Sequence, residues 1–155
     1  MKRSCSMLVL LFVAACSGTT VSALEKKIKR SELPPAVEKT VQTESAGATI
    51  KGFSKETKNG RVYYEAELVV NGHTKDVLMD ADGAVVEVEE EMSFEELPAN
   101  VKAGLSEKAG KGRITKVESM KKHDKLVAYE AQVSTNGKST EIQVGPHGET
   151  LAHEE

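Results

Sequence analysis

The sequence predicts an α+β fold: two tandem α-β-β-β-β repeats forming an antiparallel sheet, with both helices on one face. Three observations carry this expectation. The first is self-similarity. Leu33-Pro34 with Val37 returns 64 residues later as Leu97-Pro98 with Val101, and Ile50 returns as Ile114. One residue then slips in near His123, and at an offset of 65 Val62-x-Tyr64-Glu65-Ala66 returns as Val127-x-Tyr129-Glu130-Ala131. The second is periodicity, which switches in each copy from helical spacing to strict alternation. The third is punctuation by Asn-Gly and Asp-Gly pairs, which favour tight hairpin turns. A period of this length means one supersecondary unit used twice.

The chain opens with an export signal. Lys2 and Arg3 precede an unbroken apolar run from Met7 to Ala15. That run is too short to span a bilayer, which takes about 20 residues, and it fits the apolar core of a secretory signal. Two cleavage patterns compete. Val21-Ser22-Ala23 suits ordinary cleavage, making residues 1–23 a signal peptide. Val13-Ala14-Ala15-Cys16 resembles a bacterial lipobox, which would end the signal at residue 15 and put a lipid on Cys16. Either way the chain leaves a bacterial cytoplasm, to be periplasmic, lipid-anchored there, or secreted. Both readings also remove Cys5, so no disulfide can staple the domain, and packing must stabilise it. One 60-residue unit alone is marginal by surface-to-volume scaling. Two units sharing a sheet or core are expected instead.

Residues 24–32 read as a linker, 33–92 as the first repeat and 93–155 as the second. In the first, Pro34 suits the opening of a helix. Leu33, Val37 and Val41 form its apolar stripe, and Gly47 ends it. Strands follow. Thr49 to Lys58 is anchored by Ile50 and Phe53, whose three-residue spacing calls for a bulge. After Asn59-Gly60, Val62, Tyr64, Ala66, Leu68 and Val70 alternate with polar residues, the clearest half-buried strand in the chain. Asn71-Gly72 turns it back into a strand through Val77 and Met79, and Asp82-Gly83 leads to a fourth from Ala84 to Glu89. In the second copy, Pro98 opens a helix with Val101, Leu105 and Ala109 as its stripe, and Ser93 with Glu96 forms a capping box just upstream. Val127, Tyr129, Ala131 and Val133 are expected to face the core. Ile142 and Val144 follow, then a last strand at Leu151. The uncovered sheet face is expected to be polar and wet, and the carboxylates of Glu87 to Glu91 to lie in a solvated strand end.

The arrangement of Leu-Pro-x-x-Val, an isoleucine before the first strand, Val-x-Tyr-Glu on the central strand and Asp80-Ala81-Asp82-Gly83 at a turn resembles the PepSY domains. More closely it resembles the tandem β-lactamase-inhibitor-like, PepSY-like family of exported bacterial proteins. The likeness spans nearly all of residues 33–155. The second copy departs from it with Gly145-Pro146-His147-Gly148 at the corresponding turn. The resemblance implies an envelope protein with a binding or inhibitory role, such as restraint of a peptidase. The shared motifs are packing and turn signals, so no functional residue carries over.

Chemistry is sparse. His73, His123, His147 and His153 show neither the paired helical spacing nor the short cluster of a zinc site. No serine occupies a nucleophile elbow, and no glycine-rich loop cradles phosphate. No cofactor, catalytic residue or metal ligand is therefore expected. Removing the first 23 residues leaves 19 cations against 24 carboxylates, a net charge of −5 with the signs interspersed, which argues against a nucleic-acid partner. Membrane contact is expected only through a lipid on Cys16. The reading is a non-enzymatic binding module for an unknown envelope protein or peptide. Its contact surface would be the uncovered sheet face and the equivalent hairpin tips: Asn59, Gly60, Tyr63, His123 and Asp124. The alternative is a periplasmic binder of a small molecule or metal, with Tyr64 and Tyr129 lining a pocket.

Overall fold

The computed structural model describes residues 25–153 and 155. The signal segment and Cys16 lie outside the described residues. Eight strands form a single antiparallel sheet in which every neighbour in sequence is a neighbour in space, from β1 (Lys26–Ile28) through β2 (Thr49–Lys58), β3 (Arg61–Val70), β4 (His73–Asp80), β5 (Val85–Glu91), β6 (Arg113–Lys122) and β7 (Lys125–Thr135) to β8 (Lys138–Val144). Two helices, α1 (Pro35–Glu44) and α2 (Ala99–Ala109), pack on one face. Pro34 caps α1 from outside and Pro35 takes the first helical position, where a missing N–H costs nothing. The Ser93/Glu96 capping box closes on a short 3-10 turn, Phe94–Glu96, just ahead of α2.

The alternation read in the sequence places the core. Tyr64, Ala66, Leu68, Val77 and Met79 pack under Val37 and Val41 of α1. Tyr129, Ala131, Val117 and Val144 pack under Val101 and Leu105 of α2. Tyr64 and Tyr129 are buried as core residues, which removes them as linings of a ligand pocket. Between the two clusters, on the same face, runs a polar seam. Lys75 pairs with Glu44 at 3.2 Å and Lys121 with Glu90 at 2.9 Å. The helices thus cover two separate cores beneath one continuous sheet.

Each β4–β5-type turn is clamped to its helix. Gly83, at φ +81°, approaches so closely that an added Cβ would lie 2.6 Å from the Ala36 carbonyl oxygen. The Thr40 hydroxyl donates to the Gly83 carbonyl at 2.6 Å. The second copy repeats the device. Gly148 leaves only 2.1 Å between such a Cβ and the Asn100 carbonyl, and the Asn100 amide donates to the His147 carbonyl at 2.7 Å.

The bulge expected between Ile50 and Phe53 is present as a register shift between Ile50 and Gly52, and its twin lies between Ile114 and Lys116. The inserted residue near His123 is absorbed by a further shift at Met120/Lys121.

Three features differ from the sequence reading. Lys26–Ile28, placed in the linker, forms the edge strand β1, with Ile28 opposite Phe53. Its counterpart 64 residues on is the end of β5, where the Met92 N–H donates to the Val117 carbonyl. Strand β5 therefore closes the first unit and opens the second, which is why the sheet is continuous. The strand expected at Leu151 does not form. Instead the chain returns to the outer face, where the Glu155 N–H donates to the Gln143 side chain at 2.8 Å and its carboxylate pairs with Lys122 at 3.3 Å. Finally, the outer face is not uniformly wet. Met120, Ala128, Glu118 and Gln143 face outward by register, yet all four are buried.

Candidate functional site on the uncovered sheet face

Five neighbouring strands, β2 to β6, present their polar alternation on the face away from the helices. Register brings those positions together. Glu65 lies opposite Leu78, Glu67 opposite Asp76, Asp76 opposite Glu89, and Glu91 opposite Glu118. Residues far apart in the chain thus become a patch of carboxylates. Carboxylate oxygens of Asp76, Glu89 and Glu118 lie within 4.8 Å of one another.

The cations on this face are mostly committed at its margins. Lys27 pairs with Glu67, Lys116 with Glu118 at 2.6 Å, and Lys122 with Glu87 at 3.6 Å. Glu91 accepts hydrogen bonds from the Thr74 N–H and hydroxyl at 2.9 and 3.0 Å, and the backbone N–H above all holds its carboxyl below the usual range. Among the described residues, no Lys or Arg forms an ion pair with Glu65, Asp76 or Glu89.

Their protonation reflects this. Burial, then the negative charge of Asp76, pushes Glu65 up to about 7. Burial, then Glu118, pushes Asp76 up to about 6. Burial, then Glu130, Glu118, Glu87 and Asp76, pushes Glu89 up to about 8. Desolvation disfavours the charged form and neighbouring like charges add to it. The centre of the face therefore holds protons near neutral pH that solvent-exposed carboxyls would release.

Two depressions mark the same face. A bowl of about 580 Å³ lies at the hairpin tips, floored by Tyr63, Leu78 and Val86 and rimmed by Asn59, Lys122 and His123. A narrower channel of about 190 Å³ runs between Glu56, Glu65, Asp76 and Glu89. Lys58, Leu78 and Glu87 line both, so the two form one groove. The tips that flank it are type-I′-like pairs at positive φ: Asn59 (54°) with Gly60 (76°), and His123 (48°) with Asp124 (63°). The His123 N–H donates to the Val86 carbonyl at 3.1 Å and ties its tip to β5.

Of the expected contact residues, Asn59, Tyr63 and His123 share the bowl, while Gly60 and Asp124 complete the turns without lining it. The four histidines are exposed and dispersed, on turns, at a strand end or near the chain end. The acidic centre itself went unrecognised in the sequence. Its signal was the outward parity of Glu65, Glu67, Asp76, Glu87, Glu89 and Glu118, which becomes a cluster only once strands are paired. Asp76, Glu89 and Glu118 are spaced to ligate a cation or to share protons, although Lys116 already neutralises Glu118.

No family model matches the chain, and no curated protein matches it. Solved structures do. A BLIP-like protein from Bacteroides fragilis superimposes with a TM-score of 0.57 at 24% identity, covering 77% of this chain and 83% of that one. A DUF2874 family protein from Bacteroides ovatus gives 0.60 at 18%, covering 77% and 84%. This chain has the fold of the BLIP-like and DUF2874 proteins. A candidate periplasmic protein from Bacteroides eggerthii shares it too, with a TM-score of 0.63 at 21% identity over 77% of this chain and 86% of that one. At these identities the likeness is one of fold. Among the described residues, no helix is long and apolar enough to cross a membrane.

Proposed function

We propose that this protein is an exported, non-enzymatic binding module that holds another envelope protein against its uncovered sheet face. The observation that carries the reading is the groove itself: an unoccluded bowl and channel on the sheet, walled by hairpin tips and floored by partly desolvated side chains. Partly buried apolar residues such as Tyr63, Leu78 and Val86, exposed together beside polar groups, are the pattern of a contact surface. The signal-like N-terminus and the periplasmic description of a protein with the same fold support export, and Cys16 is the expected point of lipid attachment. Restraint of an envelope enzyme such as a peptidase is the finer form of this reading. The BLIP-like description of one structural neighbour favours it.

Catalysis finds little support, since the exposed histidines are dispersed. A second reading, binding of a divalent cation, is favoured by the mutual approach of Asp76, Glu89 and Glu118.

The test is to pass an envelope extract of the source bacterium over the immobilised full chain and over a Leu78→Arg variant, with and without chelator. A protein retained by the wild type and released by the variant is the expected result. Equal retention by both, or none by either, counts against the face. Retention that disappears with chelator transfers weight to the cation.

A further inference from the structure

Resting on the binding-module reading, the geometry points to a specific occupant. We propose that the groove receives an extended polypeptide segment that places a Lys or Arg side chain over Glu65, Asp76 and Glu89 and an apolar side chain in the bowl on Tyr63, Leu78 and Val86.

Charge complementarity carries the choice. The channel is lined by Glu56, Glu65, Asp76, Glu87 and Glu89 against a single cation, Lys58. Three other cations of the face already neutralise other partners, Lys27 holding Glu67, Lys116 holding Glu118 and Lys122 bridging Glu87 and Glu155, while Arg61 lines the bowl and not the channel. Three half-buried carboxylates therefore stand together with no counter-charge of their own among the described residues. An anionic ligand would meet repulsion from each of them that is ionised and from the neighbouring Glu118 and Glu87. A neutral one would remove more water from groups that already lack a countercharge. A guanidinium or ammonium supplies the missing partner, and its donors match carboxylate oxygens well.

Shape argues for a polypeptide over a lone ion. The carboxylates are strung along the channel, with Glu65 outside the Asp76–Glu89–Glu118 trio. The bowl joined to the channel is of a size that accommodates organic ligands, about 300 Å³ and upward. An ion uses only the channel and leaves Tyr63, Leu78 and Val86 without a role. An extended segment advances about 3.3 Å per residue, so two side chains on one face of it lie about 7 Å apart and can reach both parts. The clamped tips hold the bowl open without it: the His123 N–H is bonded to β5, and the Asp82-Gly83 turn is pinned to α1.

The experiment is to pan a random-peptide phage library on the full chain, then to measure synthetic versions of the selected peptides by calorimetry. The comparison protein is the triple variant Glu65→Gln/Asp76→Asn/Glu89→Gln, with circular dichroism to verify its fold. Amide replacements keep shape and remove mutual repulsion, so this variant is expected to fold at least as well as the wild type. Expected are peptides enriched in Lys or Arg beside an apolar residue. Their affinity should fall tenfold or more in the variant, and should weaken with added salt, as exposed ion pairs do. A Leu78→Arg chain should lose the same peptides.

Selection of uncharged or acidic peptides overturns the proposal, as does equal affinity for the triple variant or no enrichment at all. Saturable calcium or zinc binding that depends on these carboxylates and blocks the selected peptides assigns the channel to a cation and also overturns it. Failure here is separable from failure of the parent reading. An envelope protein retained in a Leu78-dependent way keeps the binding face even if the peptides show its occupant is not cationic.

Discussion

Replacing Glu89 with Gln should stabilise the protein, and only at high pH. Glu89 lies on β5 with Asp76 opposite on one side and Met120 on the other. Burial, reinforced by Glu130, Glu118, Glu87 and Asp76, moves its carboxyl from 4.5 to about 8. At about 1.4 kcal/mol per tenfold change, the full difference corresponds to on the order of 5 kcal/mol against the ionised form. One side of the face meets water, and screening there reduces such energies, so a cost of about 2 kcal/mol is expected. The sign follows from proton uptake. In the unfolded chain this carboxyl ionises near its ordinary value, while in the fold it keeps its proton to about 8. Its stabilising contribution is therefore complete below about pH 4.5 and is lost as pH rises through 8. A glutamine cannot titrate. Wild type and variant should match near pH 4, and the variant should be more stable by about 2 kcal/mol near pH 9. Urea unfolding followed by circular dichroism at the two pH values measures this directly. A difference that is the same at both, or a wild type that gains on the variant as pH rises, would refute the reasoning.

Other expectations concern the scaffold. Gly148→Ala must accommodate a methyl 2.1 Å from the Asn100 carbonyl at φ +80°, whereas Gly60→Ala at φ +76° meets nothing within 4 Å. Urea midpoints should show a loss of about 3 kcal/mol or more for the first and about 1 for the second; equal losses would mean the turn is not clamped to α2. Asp124→Gly relieves a non-glycine residue at φ 63° and should stabilise the chain by about 1 kcal/mol by thermal unfolding. A destabilised variant would show that the Asp124 side chain makes a compensating contact. Lys116→Met strands the buried Glu118 carboxylate and should cost about 2–3 kcal/mol near neutral pH, recovered when Glu118→Gln is added. If the second substitution restores nothing, the pair is not what holds Glu118 in place.

Much of the fold is legible in the sequence because it rests on local rules. Asn59-Gly60, Asn71-Gly72 and Asn136-Gly137 all form turns at positive φ. The alternation around Tyr64 and Tyr129 places both rings in the core. The broken spacing between Ile50 and Phe53 is a bulge. What escapes is what depends on partners. Lys26–Ile28 carries too little pattern to announce a strand and becomes one because β2 offers an edge. Leu151 sits where the first copy has a strand, but there the chain turns to the outer face and Glu155 bonds Gln143 and Lys122 instead.

The site is the harder case for the same reason. Each of Glu65, Asp76, Glu89 and Glu118 reads alone as a solvated charge. Glu87 to Glu91 in particular looks like a strand end. Only the register of β3 to β6 turns these residues into one half-buried patch. The expected hairpin tips fare better, since equivalent positions in two copies must lie at the same end of a shared sheet. Asn59 and His123 do rim one bowl.

Site-specific photo-cross-linking tests the binding role of the uncovered face most directly. A photoreactive residue is placed at Leu78, in the floor of the groove, or at the exposed Glu107 on α2, and each full chain is irradiated in envelope extract of the source bacterium. A discrete protein adduct from position 78 and none from position 107 is the predicted result. Adducts confined to the helix side, or none from either position, would contradict it.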